Sequence, residues 1–174
     1  MRMPIPLGRR PLDVGLLCFF ITNLLLVSYV ISLEQIVIGN PASFEQPWWP
    51  PRGAVAIIHW WEKTFDPLLW ARPVWYRATI FIDAFMFGPF YAAAIYAFAR
   101  GREWIRTPSL LWAGMMLANV TIILSEELAG PHASPRPLVV VLANAGWLVV
   151  PVLVAWRMSR GEHPFTEELV PPSE

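Results

Sequence analysis

The strongest constraint on this chain is where its charges are missing. Val14–Leu33, Thr107–Ser125 and Leu138–Trp156 contain no charged residue, and Ala78–Ala99 contains only Asp83. Each stretch approaches the roughly 20 residues that a helix rising 1.5 Å per residue needs to cross a hydrocarbon core. A greasy soluble domain scatters charge through its helices, whereas here the charge has withdrawn to the ends of the runs. The predicted fold is therefore all-α, an integral membrane four-helix bundle. Its spans run at about 14–35, 76–99, 107–126 and 138–157, close to the ~20-residue requirement. The first run follows Arg9 and Arg10 but is longer than a signal-peptide core and has no small-x-small cleavage site before Glu34, so it is read as a retained span.

Composition narrows the function classes. With 13 basic and 13 acidic residues the net charge is zero, so a nucleic-acid partner lacks its electrostatic footprint. Mean hydropathy of +0.46 and 56% hydrophobic residues exclude a disordered chain. Cys18 stands alone, so neither a disulfide nor a thiolate metal cage can form within one chain, and no cofactor or metal is expected.

Residues 1–10 and 161–174 read as a cytoplasmic N-terminal segment and a flexible cytoplasmic tail flanking a four-span unit at 11–160. The orientation follows from the arginines. Arg2, Arg9, Arg10, Arg100, Arg102, Arg106, Arg157 and Arg160 crowd into short segments on one side, which places both termini in the cytoplasm. The loop at 36–75 is too long to be a plain connection. Its first half, with Pro47, Trp48, Trp49, Pro50 and Pro51, favours turns and an interfacial aromatic belt. Its second half, Ala54–Phe65, puts Val55, Ile58 and Trp60 or Trp61 on one face and predicts a short helix lying on the membrane.

An acid inside a span costs several kcal/mol or more unless it is satisfied, which makes Asp83 a functional candidate by default. Counting along antiparallel helices places Glu34, Asp83, Asn119, Thr121 and Asn144 at one level in the outer half of the bundle. Pro89 and Pro151 cannot donate into their helices and should widen the bundle near that level. Phe81, Phe85, Phe87, Phe90, Tyr91, Trp112, Met115, Met116 and Trp147 are available to line an apolar cavity there. The expectation is a greasy pocket with two carboxyl groups. Two alternatives stand beside it: Glu34 sits in water at a helix end, and Asp83 makes a structural hydrogen bond to Asn119, Asn144 or Thr121. His59 reads as an interfacial side chain, and Glu126 and Glu127 as a solvated helix end.

The residues also carry a resemblance. Asp66-Pro67-Leu68-Leu69, Pro73, Trp75, the acid at Asp83 followed by Pro89-Phe90, Tyr96-Ala97-Phe98, Gly101, Trp104-Ile105-Arg106-Thr107-Pro108 and Ile123-Leu124-Ser125 resemble the EXPERA family, in its sigma-2 receptor branch. Asn144-Ala145-Gly146-Trp147-Leu148-Val149-Val150-Pro151 is more similar to its sterol Δ8–Δ7 isomerase branch, the emopamil-binding protein. The resemblance implies a ligand pocket faced by Glu34 and Asp83, with Asn144 and Trp147 at its helix-four positions; Asn119, Phe87, Met86 and Trp112 complete the expected lining. It implies a sterol or other hydrophobic small molecule and cationic amphiphiles as ligands, membrane lipids as surroundings, and a homodimer. It further implies residence in the endoplasmic reticulum of a eukaryote or the cytoplasmic membrane of a bacterium.

Two functions are compatible with these residues. A double-bond isomerase needs an acid to protonate an alkene, a base to remove a different proton, and an anion and aromatic face to steady the carbocation; Glu34 and Asp83 would be acid and base, with Trp147 as the aromatic. A non-catalytic receptor for sterols and cationic amphiphiles needs only the pocket and its charge. Val30 and Met86 stand where the isomerase branch has histidine and threonine, which weakens the first.

Overall fold

The computed structural model describes residues 2–168. Four of its helices are long and apolar enough to cross a membrane: α1 (Pro11–Val37), α4 (Val74–Arg100), α5 (Glu103–Ala129) and α6 (Pro137–Ser159). Each is longer at its ends than the apolar run inside it, because Pro11, Pro137 and the other flanking residues continue the helix beyond the hydrocarbon. Gly101 closes α4 in the left-handed conformation (φ 61°), and a side chain there would press on Pro4 at 3.3 Å.

Two spans are locally widened. In α1 the turns from Asn23 to Ser32 are π-helical, and in α4 the same holds for Asp83–Phe87. The cause in α4 is on the sequence. Pro89 has no N–H to donate, and the Gly88 N–H bonds back to the Asp83 carbonyl five residues earlier. The predicted proline effect is thus a widened turn carrying the intramembrane acid. Gly88 lets that turn approach α1: a Cβ there would stand 3.0 Å from the Tyr29 hydroxyl oxygen.

The half of the bundle that holds Gly101 has a packed aromatic core. Phe20, Tyr91, Phe98 and Trp112 are buried together, and Phe90 stacks on Trp112 with ring centroids 5.2 Å apart. Such aromatic contacts are worth about 0.5–1.5 kcal/mol each beyond area burial. The other half is capped by α2 (Arg52–Thr64) and the short α3 (Pro67–Ala71). Helix α2 buries Val55, Ile58 and Glu62 and leaves Trp60 exposed, so its inner face holds a carboxyl group beside the apolar stripe expected of it.

The tail differs from expectation. Thr166–Glu168 (β2) pairs antiparallel with Arg2–Pro4 (β1). Phe165 is fully buried against Phe98, with the Arg10 and Arg157 guanidinium carbons each 5.3 Å from its ring centre. One aromatic residue anchors a segment that shows no periodicity, which is why composition reads it as loose. Residues 169–174, the rest of the predicted flexible tail, lie outside the described residues.

Candidate functional site

A cavity of about 360 Å³ occupies the α2–α3 half of the bundle and takes side chains from all six helices. Its apolar wall comes from α1 (Val27, Ile31), α4 (Ile80) and α5 (Met116, Val120, Ile123), while Ile57 and Trp60 of α2 and Ala143 of α6 are both lining and exposed and so mark its mouth. Polar groups are few and placed at two levels.

The deeper level is Asp83. Its carboxylate accepts a hydrogen bond from the Ser32 hydroxyl at 2.7 Å, joining the widened turns of α1 and α4. This is a structural hydrogen bond of the kind the sequence allowed, made to Ser32 instead of Asn119, Asn144 or Thr121. Thr121 is turned outward and bonds its own helix at the Leu117 carbonyl. Asn119, Asn144 and Trp147 do line the cavity with Asp83. The Trp147 indole N–H donates to Asn23 at 2.7 Å, which fixes the ring at the boundary with the aromatic core.

The upper level is a pair that sequence reasoning passed over, Asp66 and Glu127. Asp66 caps α3 by accepting from the Leu69 N–H at 3.2 Å, and its carboxyl also meets that of Glu127. Burial pushes the Asp66 carboxyl above its ordinary range, against hydrogen bonds from Leu69, Glu127 and Trp61 that pull it down. Asn144 Nδ2 approaches Glu127 at 3.4 Å, and Gln35 Oε1 is buried at the same end without a donor among the described residues. Glu127 is 1% exposed, so the end of α5 is no solvated terminus. Its signal was legible as spacing, since Met116, Val120, Ile123 and Glu127 fall on one helical stripe.

Four expected site residues lie elsewhere. Phe87 and Trp112 belong to the solid aromatic core, and Met86 is 52% exposed on the outer surface of α4. The i→i+5 turn rotates Met86 further from Asp83 than an α-helix would. Glu34 is the larger difference: it is fully buried but is not on the cavity wall. Arg72 Nη2 donates to both its oxygens at 3.1 and 2.9 Å, and His59 Nε2 lies 2.8 Å from Oε1. The same Nη2 reaches Glu62 at 2.7 Å, while Nη1 binds the Ile38 carbonyl and Nε the Leu69 carbonyl. One guanidinium thus ties the end of α1 to α2 and α3. His59, read as interfacial, is part of this tie.

A single cation cannot neutralise two buried carboxylates. Burial pushes the Glu62 carboxyl up to about 8; Arg72 opposes this and Glu34 adds to it. The folded protein therefore keeps a proton on Glu62 that the unfolded chain releases, and stability falls as pH rises from about 4.5 towards about 8. The slope is at most about 1.4 kcal/mol per pH unit for one proton. Thermal unfolding in detergent should show a falling midpoint across that window, and Glu62→Gln should flatten it. A midpoint that rises with pH in the parent would contradict the buried, protonated carboxyl.

Comparison with known proteins covers α2 to α6. Residues 54–158 match the family described as EXPERA (EXPanded EBP superfamily). The chain is 30% identical over 126 residues to sigma intracellular receptor 2 of Homo sapiens, covering 64% of this chain and 72% of that protein. The protein of that name from Macaca fascicularis is 29% identical over the same shares. The one from Xenopus tropicalis is 28% identical over 119 residues, covering 62% and 70%.

Proposed function

Since the chain belongs to the EXPERA family, we propose that its intramembrane cavity binds a sterol or isoprenoid-like lipid and also accepts hydrophobic amines. The observation that carries this reading is one cavity of about 360 Å³ with long apolar walls and acids at two levels, Asp83 and the Asp66–Glu127 pair. Fused apolar rings suit the walls, a hydroxyl suits a carboxyl or amide acceptor, and an ammonium pairs with an ionised acid. The arginine-rich face that carries both termini is the cytoplasmic one.

Binding without chemistry is the better-supported reading. The expected acid–base partners, Glu34 and Asp83, do not face one ligand, because Arg72, Glu62 and His59 close around Glu34. A double-bond isomerase is the second reading. What favours it is the pair of buried carboxyl groups, Asp66 and Glu127, on the same wall as Asp83, one of which would supply the proton. Trp147 would then lend an aromatic face to the carbocation, and Asn144 would orient the substrate.

The test uses Ala143, exposed at the mouth. Ala143→Trp should reduce binding of a labelled sterol by roughly tenfold or more, about 1.4 kcal/mol, with an unfolding midpoint close to that of the parent. Undiminished sterol binding in a folded Ala143→Trp protein would move the site out of this cavity.

A further inference from the structure

At the opposite end of the bundle, near the paired strands β1 and β2, lies a second concavity of about 440 Å³. Ile5, Pro11, Leu12 and Trp156 form its apolar side, and Arg9, Arg10, Arg157, Arg160 and His163 its basic side, with Asp13 as the acid on the wall. None of these residues takes part in the cavity described above.

The charges here are out of balance in a buried place. Asp13 is fully buried between two guanidinium groups: Arg10 Nη1 donates to it at 2.7 Å, and Arg157 Nε and Nη2 at 3.0 and 3.2 Å. Arg10 is held further by the Ile5 and Phe98 carbonyls, both at 3.0 Å, and Arg157 by the Pro164 carbonyl at 2.6 Å. One carboxylate cannot neutralise two nearly buried cations. The excess charge opens onto a wall that adds Arg160, whose guanidinium carbon stands 4.5 Å from the Trp156 ring centre, and Arg9. Among the described residues, Arg160 has no carboxylate partner, while Arg9 pairs with the exposed Glu167 at 2.9 Å. Glu162 is exposed beside the cleft and is not on its wall.

We propose that this cleft binds a phosphate anion at the membrane surface. The shared chemistry is a singly or doubly charged phosphate oxygen cluster. Its source is either the phosphodiester of an anionic lipid, whose chains would run along Leu12 and Trp156, or a soluble phosphate. The anion would take the place of Glu167 on Arg9, complete the coordination of Arg160, and offset the surplus charge of the Arg10–Asp13–Arg157 group. Guanidinium forks suit phosphate geometry, and basic residues at an interface attract anionic lipid.

The full chain is reconstituted in phosphatidylcholine nanodiscs with or without phosphatidylglycerol. Native mass spectrometry reads the retained lipid, and thermal unfolding reads the stabilisation. Phosphatidylglycerol should be retained in preference to phosphatidylcholine and should raise the midpoint. Arg160→Gln and, separately, Arg9→Gln should each cut that preference about fivefold. Arg102→Gln, on the same face but off the cleft wall, should leave it unchanged. Inorganic phosphate that raises the midpoint in pure phosphatidylcholine discs, with loss of the effect in Arg160→Gln, would identify a soluble phosphate as the ligand. The proposal is overturned if neither anion stabilises the protein, or if Arg102→Gln weakens retention as much as Arg160→Gln does.

Discussion

Replacing Arg72 by methionine should lower the unfolding midpoint of this protein by roughly 10 °C, the largest effect expected of any single substitution outside the aromatic core. The Arg72 side chain is 1% exposed and the Glu34 and Glu62 side chains 0%, so no water can replace the lost cation. Breaking a buried ion pair by removing one partner typically costs about 3–5 kcal/mol, because the other charge is left without compensation. Here the Glu34 carboxylate would be left beside the Glu62 carboxyl with no cation between them, and two carbonyl acceptors would lose their donor as well. Arg72→Lys should fall between the parent and Arg72→Met: it restores charge but not the fork that reaches Glu34, Glu62, Ile38 and Leu69 together. The triple variant with Glu34→Gln and Glu62→Gln should recover much of the loss, since removing the whole ionic group avoids the orphaned charges. Thermal unfolding in one detergent at fixed pH checks the series. An Arg72→Met protein as stable as the parent would mean that the tie between α1, α2 and α3 is ornamental.

That tie also explains what could be read from the sequence and what could not. The four spans were legible because charge exclusion and length are local properties, as were the helix over Arg52–Thr64 and the aromatic, proline-rich turn before it. Asp83 was legible because an acid within an apolar run has no local explanation. The pairing of acids was not. Whether Glu34 faces a ligand depends on Arg72, which lies 38 positions later in a loop, and sequence alone gives no register between the two. Asp83 and Asn144 both line the cavity, whereas Met86 and Phe87 do not, because a π-helical turn changes the angle per residue. Glu127 was discounted as a helix terminus, although its spacing from Met116, Val120 and Ile123 already put it on the inner stripe. The buried tail residue Phe165 shows the same limit in another form, since one anchoring side chain leaves no pattern to find.

The second large effect concerns Asp83. Asp83→Asn should weaken hydrophobic amines by roughly 10- to 100-fold while changing neutral sterol affinity by less than about threefold. The reason is geometric. Asparagine keeps an oxygen that can accept from the Ser32 hydroxyl, so the joint between the widened turns of α1 and α4 survives. What is lost is the charge, and a hydrogen bond to a charged group is worth about 1.5–3 kcal/mol. Glu34→Gln supplies the contrast. Under the paired-carboxylate expectation it would impair amines most, but with Glu34 bound by Arg72 and His59 away from the cavity, amine affinity of the folded variant should stay near that of the parent. Radioligand competition with one amine and one neutral sterol measures all three proteins. Equal loss of amine binding in both variants would restore Glu34 as a ligand-facing acid. The same Asp83→Asn protein decides between binding and catalysis. Expressed in cells lacking their Δ8–Δ7 isomerase, a catalytic parent would yield product and the variant none, although the variant still binds sterol. A parent that binds sterol with no conversion, in a site that also holds the Asp66 and Glu127 carboxyl groups, would be a receptor whose acids read ligand charge instead of moving protons.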